Sequence, residues 1–196
     1  MFEEAPLDWV QEIYIEENFM EKIDRVSSIY KKLEQTGYEI VSQEVFHKMS
    51  DTQTPQGILM VLKRPNYSFE ELLCKKNPLF VLLEDLQDPG NLGTIIRTAD
   101  AAGMNGVLLS PECADLFSPK VLRAAMGSVF HLGFSFPEHL DQALMALKEK
   151  GFSILSSQLD GEPFFNRRNV RSSFVLVIGN EGNGVSDPVR RIATHR

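Results

Sequence analysis

The sequence predicts an α/β protein in two parts: a small α/β domain over residues 1–64 and a parallel-sheet domain over residues 79–196, joined by a linker at 65–78. Three observations predict it. Short apolar runs at residues 79–83, 107–109, 152–155 and 174–178 alternate with helical stretches, the pattern of a parallel sheet covered on both faces. Ahead of Leu79 that alternation is absent, and Pro65, Pro78 and the pair Lys75-Lys76 punctuate the joint. With 196 residues, 43% hydrophobic and 24% charged, the chain has globular composition and length enough for a small domain and a medium one.

In the first part, Phe19, Ile23, Val26, Tyr30 and Leu33 recur at helical spacing, and Gly37 follows as a C-terminal stop. Residues 38–41 read as a strand, 44–49 as a short helix and 58–63 as a second strand. The Pro, Gly and Thr content of 51–57 makes that stretch a loop. The linker holds one short helical stretch. In the second part, the strand at 79–83 leads to a helix at 91–102 ended by Gly103. A strand at 107–109 leads to a helix at 118–126, opened by Ser118-Pro119 as N-cap and first-turn residue. A helix at 140–150, stopped by Gly151, precedes the strand at 152–155. After the strand at 174–178, Asp187-Pro188 opens a final helix. In such sheets ligands bind at loops leaving the carboxyl ends of strands, so chemistry is expected just after Leu83, Leu109, Leu155 and Ile178.

The net charge of −7 argues against a nucleic-acid protein, although a local basic patch can still bind phosphates. Residues 1–78 hold 14 acids and 9 bases, and residues 79–196 hold 13 and 11. Arg167, Arg168 and Arg171 cluster ahead of the last strand, and Lys63-Arg64 and Lys75-Lys76 flank the linker. Small clusters of this kind are usually solvated faces; if RNA binds, they are the first choice for phosphate contacts. No apolar run reaches the roughly 18–20 residues needed to cross a bilayer. The acidic start, Met1-Phe2-Glu3-Glu4, lacks the basic pattern of a leader. Cys74 and Cys113 lie far apart in no metal-type spacing, so a reducing, cytoplasmic location without a bound metal is expected.

Two loops hold the residues of most chemical interest. After Leu83, Pro89-Gly90 makes a turn and Asn91 stands where a helix N-cap belongs, with Arg97 further along the helix. Taken alone, Asn91 is most simply a cap and Arg97 a solvated helix arginine. After Ile178, the run from Gly179 to Ser186 has three glycines and one carboxylate, Glu181, at a strand tip. It matches neither the dinucleotide fingerprint nor a phosphate-binding P-loop, and its bland reading is a tight strand-to-helix turn. A carboxylate in such a loop leans only modestly toward function.

Together these loops carry a resemblance. Asn-Leu-Gly-Thr-Ile-Ile-Arg at 91–97 resembles the first motif of the SpoU (TrmH-like) RNA 2′-O-ribose methyltransferases of the SPOUT superfamily, and Ile-Gly-Asn-Glu-Gly-Asn-Gly-Val at 178–185 resembles the second. The stretch from Ser118 to Phe130 is similar to the one the family carries between them. Residues 51–57 are similar to the end of the ribosomal-protein-like RNA-binding domain that often precedes. Each motif is weak alone; four in the right order are specific.

The resemblance implies a parallel sheet whose C-terminal segment threads a loop into a trefoil knot, a rare exception to the un-knotted rule. It implies S-adenosyl-methionine as cofactor, a homodimer as active unit and a ribose 2′-hydroxyl of structured ribosomal or transfer RNA as substrate. Arg97 would be the catalytic group, stabilising the developing alkoxide more readily than acting as a base, because a free arginine stays protonated. Asn91 would fix the ribose or hold Arg97, and Glu181 would orient Arg97 through a charge-assisted hydrogen bond. Gly179 would lie against the cofactor, Ile178 and Gly182 would line the loop, and Ser157 would be a further cofactor contact. Arg123 would contact phosphate or a partner subunit, with a plain surface arginine almost as good a reading, and if RNA binds, the basic cluster of Arg167 and Arg168 would contact its phosphates.

Two departures from the family pattern shape the remaining expectations. The third motif, an Ile-Pro-Met-like strand followed by a Ser-Leu-Asn helix start, belongs shortly after Ala193. At the front an additional strand and helix belong, with residues 3–5 as the stub of that helix. A chain cut short at both ends is therefore expected, with a final helix that packs poorly and weak cofactor binding. The competing readings are a non-catalytic RNA-binding protein that keeps the fold, and an unrelated nucleotide-binding α/β protein, which the glycine order disfavours.

Overall fold

A computed structural model describes residues 2–65, 67, 69–159, 161, 163 and 170–196. The chain divides into two compact units, Met1–Asn66 and Tyr67–Arg196.

The first unit is organised by a strand the sequence reading missed. β1, Val10–Glu16, turns Ile13 and Ile15 inward at strand period. It is the middle of a three-stranded sheet, parallel to β2 (Glu39–Val41) and antiparallel to β3 (Ile58–Leu62). The single helix expected from Phe19 to Leu33 is two: α1, Glu17–Lys22, and α2, Ser28–Thr36. The apolar spacing runs across the break, but the local side chains favour a turn. Asp24 Oδ1 accepts from the Val26 N–H at 2.9 Å, and Ser27 Oγ caps α2 by accepting from the Tyr30 N–H at 3.2 Å. Val26, expected on the apolar face, is 74% exposed. α3, Gln43–Met49, is capped by Ser42 and buries Phe46. Residues 3–5 form a turn rather than a helical stub, held by the Lys32 ammonium, which donates to the carbonyls of Phe2, Glu3 and Ala5 at 2.6, 2.9 and 2.6 Å.

In the second unit, residues expected to form a linker are packed. α4, Phe69–Leu73, buries Leu72 in the same core as Phe80, with the Phe69 and Phe80 rings 6.2 Å apart. Five parallel strands follow in the order β6-β5-β4-β8-β7. They are β4 (Leu79–Leu83), β5 (Gly106–Leu109), β6 (Gly133–Ser135), β7 (Ser153–Ser156) and β8 (Phe174–Ile178). β6 was not foreseen, because three residues carry no readable alternation. Val81 and Leu83 enter a core with α5 (Pro89–Ala101) and α6 (Pro119–Ala125). Phe80 and Leu82 enter a second core with α7 (Leu140–Glu149) and α8 (Asp187–Ile192).

Two packing details bear on the site. α5 and α6 touch at Gly93, where an added Cβ would collide with the Ala124 methyl, so the glycine of the first motif is a helix-contact residue. The final helix does not pack poorly. Val189 is 2% exposed, and Ile192 and Ala193 pack against the second core. The tail lies beside β7, with the Thr194 N–H on the Ile154 carbonyl at 2.8 Å and the Ser156 N–H on the His195 carbonyl at 2.9 Å.

Candidate active site

β4 and β8 are neighbours at the centre of the sheet, so the loops leaving Leu83 and Ile178 are adjacent. The pairing runs one step further, because the Glu84 N–H donates to the Ile178 carbonyl at 2.9 Å. The second loop closes on itself: Asn180 and Gly184 exchange backbone hydrogen bonds at 3.1 and 2.9 Å. At Gly179 an added Cβ would collide with the Gly184 backbone, which makes glycine obligatory there.

Asn180 organises this loop, and the sequence reading did not single it out. Its Oδ1 accepts from the N–H groups of Gly182 and Asn183 at 2.9 and 3.0 Å, and its Nδ2 donates to the Asp85 carbonyl at 2.8 Å. At the other end of the loop, the buried Glu84 carboxylate accepts from the Ser186 N–H at 2.9 Å. Both ends of the Gly179–Ser186 run are thus tied to residues 84 and 85. Asp85 itself has φ 55°, and the Ser110 hydroxyl holds it by donating to Oδ1 at 2.7 Å and accepting from its N–H at 2.8 Å. The signal for both Asn180 and Glu84 was available: each is a polar residue next to an apolar strand end.

Asn91 and Glu181 come together, with Asn91 Nδ2 3.3 Å from Glu181 Oε1. Asn91 is not the N-cap of α5. Asp88 is, accepting from the Asn91 N–H at 2.7 Å, and this frees the asparagine side chain. The Glu181 carboxylate also accepts from the N–H groups of Asp88 at 3.1 Å and Gln87 at 3.4 Å. Hydrogen bonding from its own backbone N–H, and then from Asp88, Asn91 and Gln87, holds its pKa below the ordinary carboxylate value, while desolvation opposes this. Glu181 therefore latches one loop to the other.

Arg97 is elsewhere. The expected Glu181–Arg97 hydrogen bond is replaced by a contact of Arg97 Nη1 with Met126 Sδ at 3.1 Å. The reason is helical geometry: six residues advance about 9 Å and turn about 240°, carrying Arg97 off the face of Asn91. Met126 has φ 50° and is 62% exposed, and Arg97 is exposed with it. Arg123, also exposed, lies in the last turn of α6. Neither arginine has a carboxylate partner among the described residues.

Of the other expected residues, Ile178 is half-buried and its carbonyl serves the sheet, Gly182 is exposed, and exposed Ser157 extends the β7–β8 pairing through its N–H to the Val177 carbonyl at 3.0 Å. Arg167 and Arg168 lie outside the described residues. The neighbouring Arg171 donates from Nη1 to the Gly151 carbonyl at 2.9 Å. Among the described residues no group of three metal-ligating side chains occurs, no helix is long and apolar enough to cross a membrane, and Cys74 and Cys113 are free thiols.

Comparison with known proteins sets this geometry in a family. Residues 78–196 match the SpoU rRNA Methylase family, and residues 4–68 match the family RNA 2′-O ribose methyltransferase substrate binding. The chain is 38% identical over 149 residues to the 23S rRNA (guanosine(2553)-2′-O)-methyltransferase RlmP of Bacillus subtilis, covering 74% of this chain and 56% of that protein. It is 35% identical over 164 residues to an uncharacterised tRNA/rRNA methyltransferase of Synechocystis, covering 80% and 57%. The chain thus spans little more than half the length of these relatives. Among solved structures, the AdoMet-bound rRNA methyltransferase from Sinorhizobium meliloti superposes with a TM-score of 0.79 at 26% identity, over 96% of this chain and 70% of that one. The two matched segments together span residues 4–196, and the chain belongs to the SpoU rRNA Methylase family.

Proposed function

We propose that the protein transfers a methyl group from S-adenosyl-methionine to a ribose 2′-hydroxyl of structured RNA, with ribosomal RNA the first substrate to test and the relatives' names supporting that choice. The observation that carries the mechanism is the Glu181 latch, which brings the two motif loops into one edge with Asn91 between them. A further part of the proposal is a cytoplasmic homodimer with a knotted C-terminal segment.

The residues present fit the cofactor. The closed loop from Asn180 to Gly184 exposes glycine backbone at a strand tip, and beyond the end of β7 the buried amide oxygen Gln158 Oε1 has no hydrogen-bond partner among the described residues. Gly179, Ile178, Gly182 and Ser157 would hold the group, which supplies an electrophilic methyl when bound. Arg97 would provide a cation for the alkoxide that develops as the 2′-hydroxyl takes the methyl and the sulfonium–methyl bond breaks to leave a neutral thioether, and the hydroxyl proton passes to solvent because a guanidinium carries donors and no acceptor. The Met126 thioether is a weak acceptor that an RNA oxygen displaces readily. Asn91, held by Glu181, fixes the ribose, while Arg123 with Arg167 and Arg168 contacts phosphate.

The test is methyl transfer to ribosomal RNA, read by mass spectrometry of nucleosides after digestion. The expected product is a 2′-O-methylnucleoside. Arg97→Ala is expected to slow its formation at least about 100-fold, with cofactor affinity unchanged. Cofactor and RNA binding without any methylation would instead establish the non-catalytic reading.

A further inference from the structure

The two ends of the parallel sheet carry different side chains. Leu79 of β4, Phe174 of β8 and Ser153 of β7 are aligned in register, so these three neighbouring strands begin level. The segments that feed them therefore meet at the amino end of the sheet, away from the loops leaving Leu83 and Ile178. Two hydrogen bonds tie those segments together. The Ser172 hydroxyl donates to Asn77 Oδ1 at 3.1 Å, with Asn77 held at φ 52°, and Arg171 Nη1 donates to the Gly151 carbonyl at 2.9 Å. A third, from the Arg171 N–H to Ser153 Oγ at 2.9 Å, anchors the arginine's backbone. Flanking these ties are Lys75, Lys76 and Lys150, all exposed, like Arg171 itself. None of the four pairs with a carboxylate among the described residues, although Glu71 and Glu149 stand close by in the sequence. In a chain of net charge −7, four such cations on one tied edge reverse the local field.

We propose that this edge binds the phosphate backbone of a second segment of the RNA, separate from the segment presented to Arg97 and Asn91. The inference rests on the proposed RNA substrate and extends it to a surface at the opposite end of the sheet. Distance keeps the two segments apart: five-residue strands at about 3.3 Å per residue put roughly 16 Å between the ends. The side chains on offer fix the class of partner. Lys75, Lys76, Asn77, Lys150, Arg171 and Ser172 are exposed and all carry donors, as phosphate contacts do. No aromatic or aliphatic side chain is exposed in residues 75–78, 150–151 or 171–172, whereas a protein partner is anchored by such groups. Contacts of this kind position an RNA without reading its bases, so the second segment is recognised through its backbone alone.

The test is acetylation of the lysines by an N-hydroxysuccinimide ester, read by peptide mass spectrometry with and without ribosomal RNA. The RNA is added at a concentration that saturates binding by fluorescence anisotropy. Lys75, Lys76 and Lys150 are expected to react at least about fivefold more slowly when RNA is bound. Combining Lys75→Gln, Lys76→Gln and Lys150→Gln is expected to lower the slope of log affinity against log salt by about 2–3, at about 0.7–0.9 per lost phosphate contact. Thermal melting checks that the triple variant is folded. Unchanged reactivity of the three lysines while RNA is bound, or an unchanged salt slope in the folded variant, overturns the inference and leaves the RNA reading in place. Protection by polyglutamate but not by RNA assigns the edge to an acidic protein and also overturns it. Failure of ribosomal RNA to bind the unmodified chain overturns the function reading and the inference together.

Discussion

Replacing Glu181 by alanine tests whether the two motif loops form one site. The carboxylate accepts three hydrogen bonds across the gap, at 3.1 Å from the Asp88 N–H, 3.3 Å from Asn91 Nδ2 and 3.4 Å from the Gln87 N–H. All three are long and solvent-exposed, so each is taken at the low end of the usual range, about 0.5 kcal/mol. Together they give about 1.5 kcal/mol, a shift of roughly tenfold in the latched population. Glu181→Ala is therefore expected to weaken S-adenosylhomocysteine binding about tenfold. Glu181→Gln keeps one carbonyl acceptor near Asp88 and Asn91 and is expected to lose about threefold. Hydrogen exchange of the Gln87 and Asp88 amides should accelerate in the same order. The pH dependence follows from sign. The folded pKa is depressed, so the latch is complete above the ordinary carboxylate value and is lost as pH falls through the folded one. Cofactor binding should accordingly be flat across neutral pH and weaken only in acid. Unchanged exchange at Gln87 and Asp88 in Glu181→Ala would refute the latch. A loss of methyl transfer at saturating cofactor with no change in affinity would show instead that Glu181 acts on the reaction itself.

The larger unit was legible because its strands read as unbroken apolar runs, as Leu79 to Leu83 and Phe174 to Ile178 do, the first of them buried on both faces. Where burial is one-sided or short, that signal fails. β1 offers only Ile13 and Ile15 among acidic neighbours, and β6 only Phe134. The helix running through Val26 was over-read because spacing is blind to the Asp24 and Ser27 side chains that end it. The same limit governs the site. Parallel-strand logic put the Asn91 and Glu181 loops at one edge, and they meet. The angle between Arg97 and Asn91 follows from their six-residue spacing on one helix; what spacing did not show is that Asp88, not Asn91, caps α5 and frees the Asn91 side chain. Asn180 and Glu84 stand close to apolar strand ends, a signal the sequence offers, but their side chains bond to backbone groups, and spacing does not identify those partners.

Two further outcomes bear on the scaffold. Gly93→Ala inserts a methyl against Ala124 at the α5–α6 contact and is expected to destabilise the second unit by about 1–3 kcal/mol, measured by urea denaturation; no loss of stability would mean that the helices part freely there. Lys32→Met concerns the first unit, where one ammonium donates to the carbonyls of Phe2, Glu3 and Ala5 and stands 5.3 Å from the Phe2 ring centroid. Methionine preserves the apolar stem while removing all three bonds, so what is lost is the tie rather than packing. Because the rest of α2 is untouched, the effect should be local: opening of the turn at residues 2–5 by about 1–2 kcal/mol, with the unit's melting temperature nearly unchanged. A glutamate-specific protease reads this directly, since Glu3 and Glu4 lie in the turn. Cleavage is expected to be about tenfold faster in Lys32→Met, following the increased open population. Equal cleavage rates would show that the turn stays closed without the lysine, its core residue Ala5, 3% exposed, then being sufficient to hold it.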